Sequence, residues 1–187
     1  VEVYIDGSLL FQQNFMIGKY IVTLGVKGLP KGVKTTVTVD GNRTEQIESA
    51  TGLSLQFDEG TSHTFEFERI VNGGEGKRYV NSTSAGPFKI SGRKAVKTSY
   101  LTQYYLQVDS QYGSPQGSGW YDVGANANFS VTSPVYDYVA AKHVFTGWTG
   151  DYVGTEPGGT IQMDGPRMVE ALWESDYTLT YVLVLII

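Results

Sequence analysis

His63 and His143 are the two side chains of this sequence whose ordinary pKa lies near neutrality, so proton-transfer chemistry would start with them. The chain has no cysteine, which removes thiol nucleophiles, disulfides, Cys-ligated zinc and iron–sulfur clusters. A Ser–His–Asp hydrolase needs its serine on a strained turn, and no Gly-x-Ser-x-Gly supplies one. Tyr4-Ile5-Asp6-Gly7-Ser8 carries the residue types of an aspartic-protease motif in the wrong order, and a second aspartate motif is missing. Two carboxylates sharing one proton are that mechanism, so Asp6-Gly7 reads as a hairpin turn. Asp137, Asp151 and Glu156 offer oxygen ligands to Ca²⁺, but EF-hand spacing is absent and acidic loop residues are ordinarily solvated. Trp120, Trp148 and Trp173, with 13 tyrosines, carry flat rings able to stack on sugars. Their strand-like spacing assigns them to core and sandwich-edge positions instead. No catalytic residue, metal or cofactor is expected.

Modification is the chemistry the sequence favours. Asn-x-Ser/Thr sequons occur at Asn42, Asn81 and Asn128, and all three are expected to be exposed in loops or strand ends and to carry N-glycans. Polar, turn-flanked neighbours support Asn42 and Asn81 most, whereas Phe129 and Val131 place Asn128 on a strand. Of the 187 residues, 41% are hydrophobic and 18% charged, enough to fill a core and too apolar for a disordered chain. A net charge of −5 with no basic cluster argues against a nucleic-acid partner.

The elements that must position these residues are strands. Apolar residues alternate in Tyr20-Ile21-Val22-Thr23-Leu24, Thr35-Thr36-Val37-Thr38-Val39, Leu53-Ser54-Leu55-Gln56-Phe57 and Thr64-Phe65-Glu66-Phe67-Glu68. Turn signals separate them at Asp40-Gly41, Glu59-Gly60, Asn72-Gly73-Gly74 and Asp164-Gly165. No amphipathic helix is legible, and strand candidates recur about every twelve residues, the spacing of sandwiches. The chain also repeats itself. Phe88 through Val96, followed by Tyr100 and Tyr104, aligns with Ile161 through Val169, followed by Trp173 and Tyr177, at a constant offset of 73. Gly28-Leu29-Pro30-Lys31-Gly32 is echoed by Gly113-Ser114-Pro115-Gln116-Gly117 at an offset of 85. These repeats predict an all-β protein of two tandem immunoglobulin-like β-sandwich modules, residues 18–99 and 100–176. An N-terminal strand segment, 1–17, and a C-terminal apolar strand, 177–187, flank them.

Gly28 through Gly32, Thr36-Val37-Thr38-Val39-Asp40-Gly41 and Phe65-Glu66-Phe67 resemble the β-sandwich modules of archaeal cell-surface proteins. Tyr104-Tyr105-Leu106-Gln107-Val108, Gly117-Ser118-Gly119-Trp120-Tyr121, Val144-Phe145-Thr146-Gly147-Trp148-Thr149-Gly150-Asp151 and Met163-Asp164-Gly165-Pro166 resemble a module of surface proteins in thermoacidophilic archaea. The resemblance implies an extracellular, cell-surface location and a structural or adhesive role, as in thread-type filament (pilus) subunits. Beside it stands the C-terminus: Tyr177-Thr178-Leu179-Thr180-Tyr181 alternates, and Val182 through Ile187 are all apolar. That run is too short to span a membrane as a helix and has both faces apolar, as a strand buried on two sides requires. The sequence therefore predicts a non-enzymatic structural subunit, a homopolymer assembled head to tail by donor-strand complementation. Leu179, Tyr181, Leu183, Leu185 and Ile187 form the donor face. The N-terminal segment Val1–Ile5 is a rival donor. The alternative is a membrane-anchored S-layer or adhesion module binding a partner or glycan, with 177–187 the stub of its anchor, and a viral surface protein is a third possibility.

Overall fold

A computed structural model describes residues 2–5, 8–12, 18–81, 85–137 and 141–178. Among these the protein is all-β, with strands in several sheets and no α-helical element. In chain order the strands are β1 (Glu2–Ile5), β2 (Ser8–Gln12), β3 (Lys19–Lys27), β4 (Lys34–Val39), β5 (Arg43–Glu48), β6 (Leu53–Asp58) and β7 (Ser62–Phe67). They continue with β8 (Ile70–Asn72), β9 (Lys77–Asn81), β10 (Ala85–Lys89), β11 (Lys94–Ser110), β12 (Gly119–Asp122) and β13 (Asn126–Ser130). The last are β14 (Val135–Tyr136), β15 (Lys142–Gly150), β16 (Gly158–Gln162) and β17 (Arg167–Asp176). Chain contacts divide the molecule into unit 1, Val1–Arg69 with Asn81–Tyr100, and unit 2, Ile70–Val80 with Leu101–Ile187.

In unit 1, β10, β7, β4 and β5 form one sheet, while β3 lies between β6 and the first half of β11. The period of two read from the sequence sends Val22, Leu24 and Val26 of β3, Val37 and Val39 of β4, and Phe65 of β7 inward, all buried. Phe57 of β6 meets Phe65 edge to face at 5.8 Å, so the two sheets share this core. Asp40 and Gly41 both take positive φ (52° and 71°), as the β4–β5 hairpin requires. The Asp40 carboxylate holds that turn by accepting the Thr64 backbone N–H at 2.8 Å. Tyr100 ends the β11 portion of unit 1 with its hydroxyl donating to the Glu68 carbonyl at 2.5 Å and 2.7 Å from the Thr35 hydroxyl. β1 and β2 pair antiparallel with Ile5 opposite Ser8, while Asp6 and Gly7 lie outside the described residues.

In unit 2, β14, β15, β17, the second half of β11 and β12 form a sheet in that order, and β13 pairs with β16. Leu106, Val108, Phe129, Phe145, Trp148, Met163 and Val169 from these strands and their turns form one core. The repeat of the sequence is a repeat of structure: β10 and the start of β11 correspond, residue for residue at the offset of 73, to β16 and the start of β17. In each unit the closing strand runs parallel to the opening one, β11 beside β3 from Lys94↔Val22 and β17 beside β11 from Arg167↔Leu106. β11 thus closes unit 1 with Lys94–Tyr100 and opens unit 2 with Leu101–Ser110. The echoed glycines have a steric reason. A Cβ on Gly28 would lie 2.0 Å from the Tyr100 carbonyl oxygen, and one on Gly113 2.6 Å from the Trp173 ring, and both residues have positive φ.

One boundary differs from the sequence reading. The β8–β9 hairpin, expected within 18–99, groups with unit 2 through Val80. The Tyr105 N–H donates to the Gly76 carbonyl at 2.9 Å, and β9 pairs with β11, which ties the hairpin there.

Candidate functional site: an aromatic cleft on unit 2

Along β11, Tyr105 and Gln107 alternate with the buried Leu106 and Val108, so they stand on the outer face of the unit 2 sheet. Trp120 lies directly across from Tyr105 in the antiparallel β11–β12 pair, with ring centroids 5.3 Å apart at 66°. The Arg78 guanidinium rests 4.4 Å over the Trp120 ring. Arg78 is itself fixed, its Nε donating to Gln103 Oε1 at 2.8 Å while the Gln103 amide donates to Asp122 at 2.9 Å. Glu75 and Gly76, in the β8–β9 turn, form one wall of the resulting cleft of about 650 Å³, a volume within the range of small-molecule sites. That turn packs against Pro166, because a Cβ on Gly76 would come within 2.7 Å of the proline ring. Opposite, Arg167 pairs with Asp151 at 3.2 Å and with Asp164. Asp151 also accepts the Met168 N–H at 2.8 Å, fixing the carboxylate at the cleft rim. The bond to Asp164 holds the Arg167 guanidinium above its ordinary pKa, and its Nε, shielded from solvent, has no hydrogen-bond partner.

The three tryptophans therefore part company. Trp148 is buried in the unit 2 core with its Nε1 donating to the Glu156 carbonyl at 3.0 Å, and Trp173 packs against the same core. Trp120 lies half-buried outside that core and lines the cleft. Asp151, considered as a calcium ligand, is held by Arg167, and among the described residues no group of three or more acidic or histidine side chains gathers for a metal. No helix among them is long and apolar enough to cross a membrane.

Sequence reasoning missed how each histidine is held. His143 on β15 lies directly across from Ser175 on β17, with Nδ1 2.8 Å from the Ser175 hydroxyl and Nε2 3.2 Å from Asp137. Its ring is 1% exposed and stacks on Tyr112 at 3.8 Å. The residue types match a hydrolase triad, but Ser175 occupies a regular strand, and the grouping ties Asp137, which follows β14, to the sheet. His63 bridges Asp40 at 2.7 Å and the Thr61 hydroxyl at 2.8 Å, and Thr61 Oγ1 in turn donates to the Asp58 carbonyl at 2.6 Å. The His63 hydrogen bond lowers the pKa of Asp40.

Of the sequons, Asn42 is exposed in the β4–β5 turn, and Asn128 is exposed on β13 with its amide oxygen accepting from Thr160 at 2.7 Å. The expectation that Asn81 is exposed fails. It ends β9 at 7% exposure, and its side-chain oxygen accepts the Thr98 hydroxyl at 2.7 Å, because the last residue of this strand turns toward the buried face of β11. Leu179, Tyr181, Leu183, Leu185 and Ile187 lie outside the described residues. Comparison with family models, curated proteins and solved structures returns no match.

Proposed function

We propose that this chain is a structural, non-enzymatic subunit of an extracellular filament of the archaeal thread type. Two immunoglobulin-like modules per subunit join head to tail by donation of residues 177–187. The observation that supports this reading is the double use of β11, which closes one unit and runs on to open the next. At the offset of 73, Tyr177-Thr178-Leu179-Thr180-Tyr181 repeats Tyr104-Tyr105-Leu106-Gln107-Val108, the part of β11 that opens unit 2. The segment after β17 thus carries the pattern of an opening strand, with Leu179 and Tyr181 in the places of the buried Leu106 and Val108. Between subunits, the same handover needs an acceptor edge. In unit 1, β5 and β6 each end their sheet among the described residues, and such edges are templates for an added strand. A contact of this kind does not close on itself and generates an open fibre.

The test is deletion of residues 177–187 followed by electron microscopy of the purified protein. The full chain forms filaments and the truncated chain does not. Filaments of normal length from the truncated chain would transfer the donor role to residues 1–5. The second reading, an adhesion module that binds a partner or glycan at the cell surface, draws on the aromatic cleft of unit 2. Protein that needs detergent and remains monomeric would favour it.

A further inference from the structure

We infer that the cleft floored by Tyr105 and Trp120 is a saccharide-binding site. This goes beyond the filament reading and does not depend on it. Four observations carry it. First, Trp120 is held outside the core by a chain of contacts, Arg78 on its face, Gln103 on Arg78 and Asp122 on Gln103. A half-buried indole fixed in this way has already lost its rotamer freedom before a ligand arrives, which lowers the cost of binding. Second, the rim presents planar polar groups beside the rings: the Asp151–Arg167 pair, the Gln107 amide and the Glu75 carboxylate. A sugar has apolar C–H faces that suit aromatic rings, and adjacent hydroxyls that donate and accept at once. Carboxylate, guanidinium and amide groups can bond such hydroxyls in pairs.

Third, the fold does not demand this composition. The register equates the cleft with a site of about 480 Å³ in unit 1, where Arg93, Lys94 and Ala95 flank Ile21 and Thr23 as Pro166, Arg167 and Met168 flank Tyr105 and Gln107. There Ile21 faces Gln56 across β3–β6, whereas Tyr105 faces Trp120 across β11–β12, and among the described residues no aromatic side chain lines the unit 1 site. Fourth, the wall bearing Glu75 comes from the β8–β9 hairpin. In the repeat this hairpin answers to β14–β15, each lying beside the closing strand of its copy, but among the described residues no hairpin residue lines the unit 1 site. The aromatic floor and the hairpin wall thus coincide at one site. With Arg167 paired to Asp151 and Glu75 beside them, the lining has no surplus positive charge to draw phosphate, and its rings and rim together suit a neutral polyhydroxylated ligand.

The test titrates the full chain with maltose, cellobiose, mannobiose and diacetylchitobiose, by saturation-transfer NMR and calorimetry. At least one sugar should bind with a Kd of about 1 mM or tighter. Trp120→Ala should weaken that sugar at least ~10-fold, as loss of a central aromatic anchor does. Gln107→Ala and Glu75→Gln alter exposed side chains, so they keep the test valid even if Trp120→Ala fails to fold, and each should weaken binding about 3-fold or more. Lys97→Ala, in unit 1, should leave it unchanged. The inference is overturned if no sugar saturates at about 20 mM, if the Gln107 and Glu75 variants bind as the unaltered chain does, or if inorganic phosphate or tetramethylammonium occupies the cleft in place of sugars. Loss of filaments on deleting 177–187 has no bearing on these outcomes, so the two readings fail separately.

Discussion

Replacing Tyr100 by phenylalanine removes one hydroxyl from the interior of unit 1 and leaves the ring in place. Tyr100 is 3% exposed, and burial raises its pKa, so the group is a neutral hydroxyl at every pH of interest. Its single proton goes to the Glu68 carbonyl at 2.5 Å, which leaves its oxygen to accept from Thr35, itself 1% exposed, at 2.7 Å. Tyr100→Phe deletes both bonds and the hydrogen bond with the Asn81 side chain, and strands a buried Thr35 hydroxyl together with the Glu68 carbonyl. A net hydrogen bond is worth about 1 kcal/mol and an orphaned buried polar group about 1–3 kcal/mol, so the variant should lose about 2–4 kcal/mol. Thr35→Val removes one partner but leaves Tyr100 bonded to Glu68, and should cost about 1 kcal/mol. The double variant no longer contains the orphaned threonine, so it should be more stable than the sum of the two losses by about 1 kcal/mol. Urea unfolding followed by far-UV circular dichroism measures all three. A Tyr100→Phe chain within about 0.5 kcal/mol of the unaltered protein would refute the reasoning, because it would mean that the Thr35–Tyr100–Glu68 chain is not buried.

Other perturbations give equally definite expectations. Gly28→Ala forces a Cβ against the Tyr100 carbonyl at positive φ and should cost more than about 1 kcal/mol in the same urea assay, whereas Gly41→Ala meets no atom within 4 Å and should cost less. Trp148→Ala should lower the stability of unit 2 by about 3–5 kcal/mol, read from the fluorescence of the remaining Trp120 and Trp173. The lowered pKa of Asp40 means that its contribution is complete above the ordinary carboxylate value and is lost as pH falls through the depressed one. Asp40→Asn should therefore lower stability at neutral pH and flatten the acid limb of a stability–pH profile, the two profiles converging once pH falls below the depressed pKa. Peptide mapping of native protein should find Asn81 unmodified, since its side chain is enclosed against Thr98, while Asn42 and Asn128 remain open to glycans.

Strand positions were legible because burial follows alternation: Val37 and Val39 are buried between half-exposed threonines, and Leu55 and Phe57 between exposed Ser54, Gln56 and Asp58. The repeat was legible because the Gly28–Tyr100 and Gly113–Trp173 contacts place steric demands on both copies, which leaves matching residues at fixed offsets. Alternation says which face a residue takes, but not what the neighbouring strand carries. Trp120 looked like core because it sits on a strand; its fate depended on Tyr105 across the pair and on Arg78 from a hairpin some forty residues earlier in the chain. Asn81 looked like loop because its flanks are polar, and Thr98, which encloses it, is not a sequence neighbour. The Ser175–His143–Asp137 grouping was invisible for the same reason, being assembled by the β15–β17 register. Long-range pairing, not local pattern, decided all three.

If residues 177–187 join one subunit to the next, charge placed in that segment should break the fibre. Each buried Leu contributes about 1.5–3 kcal/mol, so Leu183→Asp with Leu185→Asp should forfeit several kcal/mol of each subunit contact. In sedimentation at a concentration where the unaltered chain polymerises, the double variant should run as a folded monomer of about 20.5 kDa. Polymers of unaltered size from that variant would contradict donation by residues 177–187.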